Sequence, residues 1–282
     1  MNFCFLPSFN IFENLAIESY LLREKKEDYI LVWRSGPSVV FGKFQNPWIE
    51  CNIPYCKENK INIARRESGG GCVFHDEGNL NISIINSSND LFVKPQFDLF
   101  LDFLRSYDLN ISSNNRHDLL IDEKLKITGS AFKKIKGRQL HHFTFLIDSN
   151  REMLSKSLKS NLTYLETKSL PSRPTSIVQL SELKSDMMID QFLKNFHFFL
   201  KERFEEFFFS ENISDKALLL SSENWVFGET PHFSLDYKEK ILTIKKGIVS
   251  IGELKFNLFD DQDKQMLDLY QYLMGYTARA TT

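Results

Sequence analysis

The chain has 282 residues, 35 of them basic and 37 acidic, for a formal charge of -2. That balance leaves no global field to hold nucleic acid or an anionic membrane non-specifically, so any bound anion needs a local site. Hydrophobic residues at 42% and charged residues at 26% fall in the range of folded globular chains, and no apolar run approaches the ~20 residues of a membrane helix. Cys4, Cys51, Cys56 and Cys72 form neither a CxxC pair nor a disulfide scaffold, which predicts a reducing compartment and no metal site. Residues 1 to 10 lack the features of a mitochondrial presequence or a secretory signal, so a mature or trimmed chain, or a missing first exon, is expected.

In chain order, Phe12, Leu15, Ala16, Ser19 and Leu22 recur at helical spacing behind a capping Asn10, predicting a helix over 11 to 24. Runs 29 to 34 and 38 to 44, split by Ser35-Gly36-Pro37, read as a strand pair. Pro47 opens a predicted helix to about residue 59, followed by a strand at 61 to 65, a glycine turn at 69 to 71 and one long strand over 72 to 86. A helix from Pro95 to about 107 precedes a hairpin of 118 to 122 with 125 to 132 around Glu123-Lys124. A strand at 141 to 148 and a helix at 151 to 159 lead into an ordered loop, 167 to 180, anchored by Ile177, Val178 and Leu180. The Phe-rich stretch 186 to 209 reads as a core helix. Strands at 241 to 245 and 248 to 254 turn at Lys246-Gly247, and a last helix covers 260 to 274. The whole predicts an α/β or α+β sheet domain with a small C-terminal extension.

Chemistry concentrates in Arg65-Arg66-Glu67-Ser68-Gly69-Gly70-Gly71-Cys72-Val73-Phe74-His75-Asp76-Glu77-Gly78-Asn79. Consecutive glycines let backbone amides approach an anion, and two arginines offer forked donors. No Lys-Ser or Lys-Thr follows, as a Walker A loop requires, and a strand rather than a helix follows, against a dinucleotide fingerprint. Alone, the turn equally fits a sharp hairpin with solvated arginines; the double arginine and the His-Asp-x-Gly-Asn sequence weigh for a phosphate site. His75 and Asp76, as strand neighbours, point to opposite faces, so His75 is read as a structural hydrogen-bonder. A second constellation is Arg116-His117-Asp118-Leu119-Leu120, followed by Lys126-Ile127-Thr128-Gly129-Ser130-Ala131. A lysine alternating with Leu125 and Ile127 beside a small-residue turn can offset charge on an acyl carbonyl or a departing phosphate; a plain surface lysine is the alternative.

These motifs, together with Asn14-Leu15-Ala16-Ile17-Glu18, the run from Ser38 to Asn52, His141-His142 and a weaker echo from Trp225 to Ser234, resemble the lipoate-protein ligase A and lipoyltransferase family. The resemblance implies the fold shared with biotin protein ligases: a mixed-sheet catalytic domain at 1 to 230 and a short C-terminal accessory domain at 231 to 282. It implies an acyltransferase that moves a lipoyl group from lipoyl-AMP, or from a lipoylated carrier protein, to the acceptor lysine of lipoyl domains. The partners implied are the E2 subunits of 2-oxoacid dehydrogenases and the glycine-cleavage H protein, with the enzyme acting as a monomer.

Residue by residue, Lys126 resembles the family's essential lysine, which contacts the lipoyl carbonyl and the adenylate phosphate. Arg66 resembles the nucleotide-holding arginine, and Gly71, Cys72, Val73 and Phe74 match the backbone run lining the nucleotide. Ser68, Gly69, Gly70 and Asn79 would shape the same pocket, Asp118 matches an acidic position near the phosphate, and Val39, Val40 and Gly42 match a strand beside the lipoyl chain. Related octanoyltransferases use a cysteine nucleophile, but the stretch Ile111-Ser112-Ser113-Asn114-Asn115 has none. Cys72, the thiol of the pocket motif, would need a placed base or an electropositive site to serve. The basic loop from Lys133 to Arg138 suits steering of acidic lipoyl domains, though a solvated loop is equally compatible.

Within the family, Ser35-Gly36-Pro37 and the stretch Ser172-Arg173-Pro174-Thr175-Ser176 are more similar to animal lipoyltransferases, which are mitochondrial and use pre-activated lipoyl. The short segment after Pro231 argues against complete lipoate activation, so ATP and Mg are expected only if the protein is a ligase. A non-catalytic lipoyl-binding or partner-binding relative is the remaining alternative.

Overall fold

The structure, a computed structural model, describes residues 1–87, 94–114, 118–158, 165–172, 176–184 and 187–275, with helical backbone alone at 94–97. It is a mixed α/β fold with mixed sheets, and the chain forms two compact units. The first comprises Met1–Gly36, His75–Asn150 and Pro174–Lys216; the second comprises Pro37–Phe74, Arg151–Arg173 and Ala217–Thr282.

The first unit is built on a six-stranded sheet in the order Thr128–Ile135, Arg138–Leu146, Asn79–Asn86, Tyr29–Trp33, Asn2–Phe5, Glu205–Glu206. The first four strands pair antiparallel and the last two add in parallel. Asn79–Asn86 is buried at every position because both its faces are covered. Leu80, Ile82 and Ile84 pack with Phe100, Phe103, Phe192 and Phe196 from the helices Lys94–Arg105 and Ile189–Lys201. On the opposite face the Ser83 hydroxyl donates to Glu18 of the helix Ile11–Glu24, and His142 Nδ1 lies 3.2 Å from the same carboxylate. Asn10 caps that helix as expected, accepting from Phe12 N at 2.9 Å. Asn14 ties it to the Ser8 and Arg34 carbonyls at 3.0 and 2.8 Å. The family-like Asn14-to-Glu18 motif therefore anchors the helix to the sheet.

In the second unit Ser38–Phe41 lies between Asn62–Arg65 and Val73–His75. A five-stranded antiparallel sheet runs Leu165–Thr167, Phe233–Tyr237, Lys240–Lys245, Ile248–Ile251, Leu254–Asn257. Val39, Phe41 and Trp48 share one apolar cluster with Leu235, Leu242, Val249, Leu258, Met266 and Leu269. Residues after 230 thus share a core with residues 39 to 61, and the compact units divide the chain differently from a boundary at 230.

Several expected elements differ, each for a local reason. Strands Tyr29–Trp33 and Ser38–Phe41 do not pair with each other, because the first joins the six-stranded sheet and the second pairs with Asn62–Arg65. The helix expected from Pro47 breaks into Pro47–Glu50 and Ile53–Glu58, where Asn52 recaps the chain ahead of Pro54. The long strand over 72 to 86 is two, Val73–His75 and Asn79–Asn86. They are parted by a turn in which a side chain on Gly78 would sit 2.0 Å from the Asp148 carbonyl. The hairpin around Glu123-Lys124 pairs only Leu119–Ile121 with Leu125–Lys126, and Thr128–Ile135 joins the large sheet instead. The basic loop is a hairpin end: Lys136 and Gly137, both at positive φ, join two paired strands. The Phe-rich helix is core, as read, but ends at Lys201, and Phe208 beyond it is 84% exposed.

Candidate active site

Arg65 and Arg66 leave the strand Asn62–Arg65 in opposite directions, and their surroundings differ accordingly. Arg65 is fully buried and donates to the carbonyls of Lys43, Gln45, Trp225 and Val226 and to the Thr230 hydroxyl, at 2.8 to 3.2 Å. Its guanidinium lies 4.6 Å from the Phe41 ring, and burial pulls its pKa down to about 9. The Trp225 indole returns a bond to the Arg65 carbonyl at 2.8 Å, which accounts for the Trp225-to-Ser234 motif as a structural clamp. Arg65 is therefore not an anion donor, contrary to the expectation from the double arginine.

Arg66 Nε donates to Ser68 Oγ and to the Gly69 carbonyl, both at 3.1 Å. The terminal nitrogens reach the carbonyls of Val40 at 3.0 Å, Gly69 at 2.6 Å and Gly71 at 2.7 Å. A peptide N–H points opposite to the C=O of its own plane. Turning the Gly69 carbonyl onto the guanidinium therefore directs the Gly70 N–H away from it. Gly70 sits at φ 88°, where a side chain would strain the backbone. At Gly42 a Cβ would lie 2.3 Å from the Gly70 carbonyl oxygen, so the strand end and the turn touch backbone to backbone. A Cβ on Gly69 would meet nothing within 4 Å, which leaves open space over the turn. Ser68, Gly69, Gly70, Gly71 and Cys72 thus form one clamped turn around Arg66, with Phe74 buried in the apolar cluster beyond. Val39 and Val40 are buried in the neighbouring strand.

The second constellation lies in the first unit. Lys126 Nζ is 2.8 Å from Asp118 Oδ1, with both side chains largely covered. Asp118 is itself fixed, because its Oδ2 accepts from Asn114 Nδ2 at 3.1 Å and its N–H donates to Asn114 Oδ1 at 3.0 Å. The Lys126 backbone is held on both sides, its N–H on the Ser176 carbonyl at 3.0 Å and its carbonyl accepting from Val178 N at 3.1 Å. A Cβ on Gly129 would lie 3.8 Å from the ammonium, an ordinary contact distance, so Gly129 sits directly beside that group. Ile127 is core and Leu125 is 36% exposed. Arg116 and His117 lie outside the described residues.

Asn79 is also in this unit, fully buried, its amide 3.4 Å from Ser149 Oγ. Asp76 accepts from Gly78 N at 2.9 Å and Asn150 N at 2.7 Å, and His75 lies against Trp33 with Nε2 3.4 Å from Thr144 Oγ1. These contacts fit the reading of His75 as a structural hydrogen-bonder, and Asp76 lies past the end of the strand, holding two backbone N–H groups. Cys72 Sγ lies 4.0 Å from Cys51 Sγ, and burial raises the Cys51 thiol pKa well above its usual value. Cys72 packs against the apolar cluster that contains Cys51. The residues sequence reasoning missed are Gln45, Glu50 and Ser172, which bond to or beside the glycine turn. Gln45 and Glu50 fell inside the family-like run at 38 to 52, and nothing in their residue type separated them from their neighbours.

A clamped glycine turn with open space above it can present backbone amides to an anion, and a lysine held on a carboxylate can offset charge that develops beside it. The chain belongs to the family of lipoyl protein ligase A/B catalytic domains, whose model matches residues 10–197. The mitochondrial lipoyl amidotransferase LIPT1 of Mus musculus is 32% identical over 244 residues, covering 80% of this chain and 65% of that protein. The chain therefore spans less than two thirds of that relative. Among solved structures, P. falciparum LipL1 in complex with lipoate superposes with a TM-score of 0.66 at 25% identity, covering 88% of this chain and 82% of that one. A bi-partite lipoate protein ligase from Thermoplasma acidophilum, studied with its E2 lipoyl domain, gives a TM-score of 0.66 at 26% identity, covering 81% and 96%.

Proposed function

We propose that this protein is a lipoyltransferase that moves a lipoyl group from lipoyl-AMP to the acceptor lysine of a lipoyl domain. In this reading the clamped glycine turn of the second unit is the nucleotide-binding element and the Lys126–Asp118 pair of the first is the charge-stabilising element. Arg66 organises Ser68 to Cys72 for the nucleotide, and the Gly71-to-Phe74 backbone lines it, with Asn79 shaping the pocket. Lys126 is the catalytic residue: the acceptor amine attacks the lipoyl carbonyl, a C–N bond forms, the C–O bond to phosphate breaks, and AMP leaves with the charge that Lys126 offsets. The proton that the attacking nitrogen loses passes to solvent water, and no covalent enzyme intermediate is needed.

The observation that carries this reading is the placement of Lys126 in a chain of this family. Its ammonium is 2.8 Å from an Asp118 that Asn114 fixes, and Gly129 lies beside it. The relatives named above support the substrate class: one was solved with lipoate and another was studied with its E2 lipoyl domain. The acceptors on this reading are E2 lipoyl domains and the glycine-cleavage H protein, the enzyme works as a monomer, and its location is mitochondrial like that of the mouse relative. Functionally, residues 1 to 230 do the chemistry and 231 to 282 act as a short accessory segment.

The second reading is an ATP-dependent lipoate-protein ligase, favoured by the family's ligase members. Incubating the protein with a lipoyl domain and either lipoyl-adenylate, or lipoate with ATP and Mg, and then weighing the acceptor separates the two. Modification from adenylate alone supports the transferase, and modification from both donors supports the ligase. An unmodified acceptor in both arms overturns each, leaving a non-catalytic binding relative.

A further inference from the structure

Within the second unit, residues 170–172 run along the glycine turn as a strap. Leu170 N–H donates to the Phe44 carbonyl at 3.2 Å, and Ser172 N–H donates to Glu50 Oε1 at 3.0 Å. Gln45 connects the strap to the strand end. Its Oε1 accepts from Gly42 N–H at 2.9 Å, while Nε2 donates to Ser172 Oγ at 2.9 Å and to the Leu170 carbonyl at 3.3 Å. Ser172 Oγ also accepts from Cys72 N–H at 2.8 Å, and its Oγ would lie 3.4 Å from a Cβ on Gly71. Gln45 is 1% exposed and Glu50 8%, while Ser172 and Cys72 are half-buried, so the network is anchored in the interior and reaches the surface at the strap.

Two consequences follow from valence. A serine hydroxyl has two lone pairs and one hydrogen. With Gln45 Nε2 and Cys72 N–H directed at the lone pairs, the hydrogen must point at a third group. Gln45, in turn, is joined at once to Gly42, whose backbone touches Gly70, and to the serine that holds Cys72. Moving this amide therefore moves the strand end, the strap and the far side of the turn together.

We propose that Gln45 is a positioning residue for the glycine turn, acting through Ser172, and that the Ser172 hydroxyl hydrogen is the donor offered to an anionic oxygen of the ligand. This rests on the transferase reading for the ligand's identity, but the positioning itself can be tested without turnover. Ser172→Ala and Gln45→Ala should each speed amide hydrogen exchange at residue 72 at least tenfold in the ligand-free protein, since each removes support from the Cys72 N–H to Ser172 Oγ bond. Each should raise KM for lipoyl-adenylate about tenfold with kcat within twofold, the pattern of lost binding rather than lost chemistry. Ser172→Thr, which keeps the hydroxyl, should restore wild-type KM. Because Gln45 acts through Ser172, the double variant should lose no more than the worse single one.

Exchange at residue 72 that stays at the wild-type rate in both single variants overturns the positioning, whatever the activity. Unchanged KM values, additive losses, or a Thr variant as poor as Ala overturn the link to ligand. A wild-type protein that transfers no lipoyl group removes the transferase reading instead, and the exchange measurement then decides the positioning alone.

Discussion

The glycine turn and the Lys126 hairpin are both small polar regions set on a hydrophobic scaffold, yet they are built on opposite plans. Around the turn, charge is turned inward: the Arg66 donors bond to the carbonyls of Val40, Gly69 and Gly71, and adjacent Arg65 is locked among five oxygen acceptors. At the hairpin a single ammonium rests on a single carboxylate at 2.8 Å with 23% of its side chain exposed. A cation engaged by many fixed carbonyls shapes backbone, whereas one held by a single ion pair can change partner as charge develops nearby. On the proposed function, the turn supplies binding geometry and the hairpin supplies the chemistry.

Breaking the hairpin should have the largest effect. Lys126→Ala is expected to lower the transfer rate by about a thousandfold, the scale for removal of one charge-stabilising donor, with far-UV circular dichroism unchanged; wild-type-like turnover measured by acceptor mass would remove Lys126 from the mechanism. The turn should answer more in binding than in rate. Gly42→Ala forces a Cβ to 2.3 Å from the Gly70 carbonyl, and overpacking of about 1–3 kcal/mol should appear as a rise in KM and a lower melting temperature. A normal KM would mean that the turn shifts without consequence.

The two arginines give a sharper contrast. Arg65→Met should destabilise the fold by about 3 kcal/mol or more, since it strands several buried acceptors of a charged donor, read as a shift in urea midpoint. Arg66→Lys should retain most stability while weakening adenylate binding about tenfold, because an ammonium cannot span the carbonyls that a guanidinium fork reaches. Equal stability losses in the two variants would erase the distinction between them. The smallest effect is expected at the hairpin end: Lys134→Ala with Lys136→Ala should slow transfer to an acidic acceptor less than about threefold, and only at low salt.

Much of the site was readable in the residues themselves. Three glycines in a row, an arginine ahead of them and a lysine leading into Gly129-Ser130-Ala131 announce their chemistry because few backbone geometries need such residues. Asn10 as a cap and Phe192 and Phe196 as core were equally legible, since both depend on spacing along one helix. Less was readable where the partner is distant in sequence. Arg65 and Arg66 are chemically identical, and only the oxygens of Trp225, Val226 and Thr230 around one, and of the glycine turn around the other, give them different work. Gln45 and Ser172 stand 127 positions apart and carry no signal of their pairing.

The sequence by itself determined many of the local elements, the glycine turn and the kinds of side chain available to the candidate site, because these follow from torsional freedom, periodicity and intrinsic charge. Tertiary structure decided which strands pair, that residues beyond 230 share a core with the strand beside the turn, and which of two adjacent cations is structural. Those outcomes depend on burial and on hydrogen-bond partners brought together only when the chain folds, and no short stretch of residues carries them.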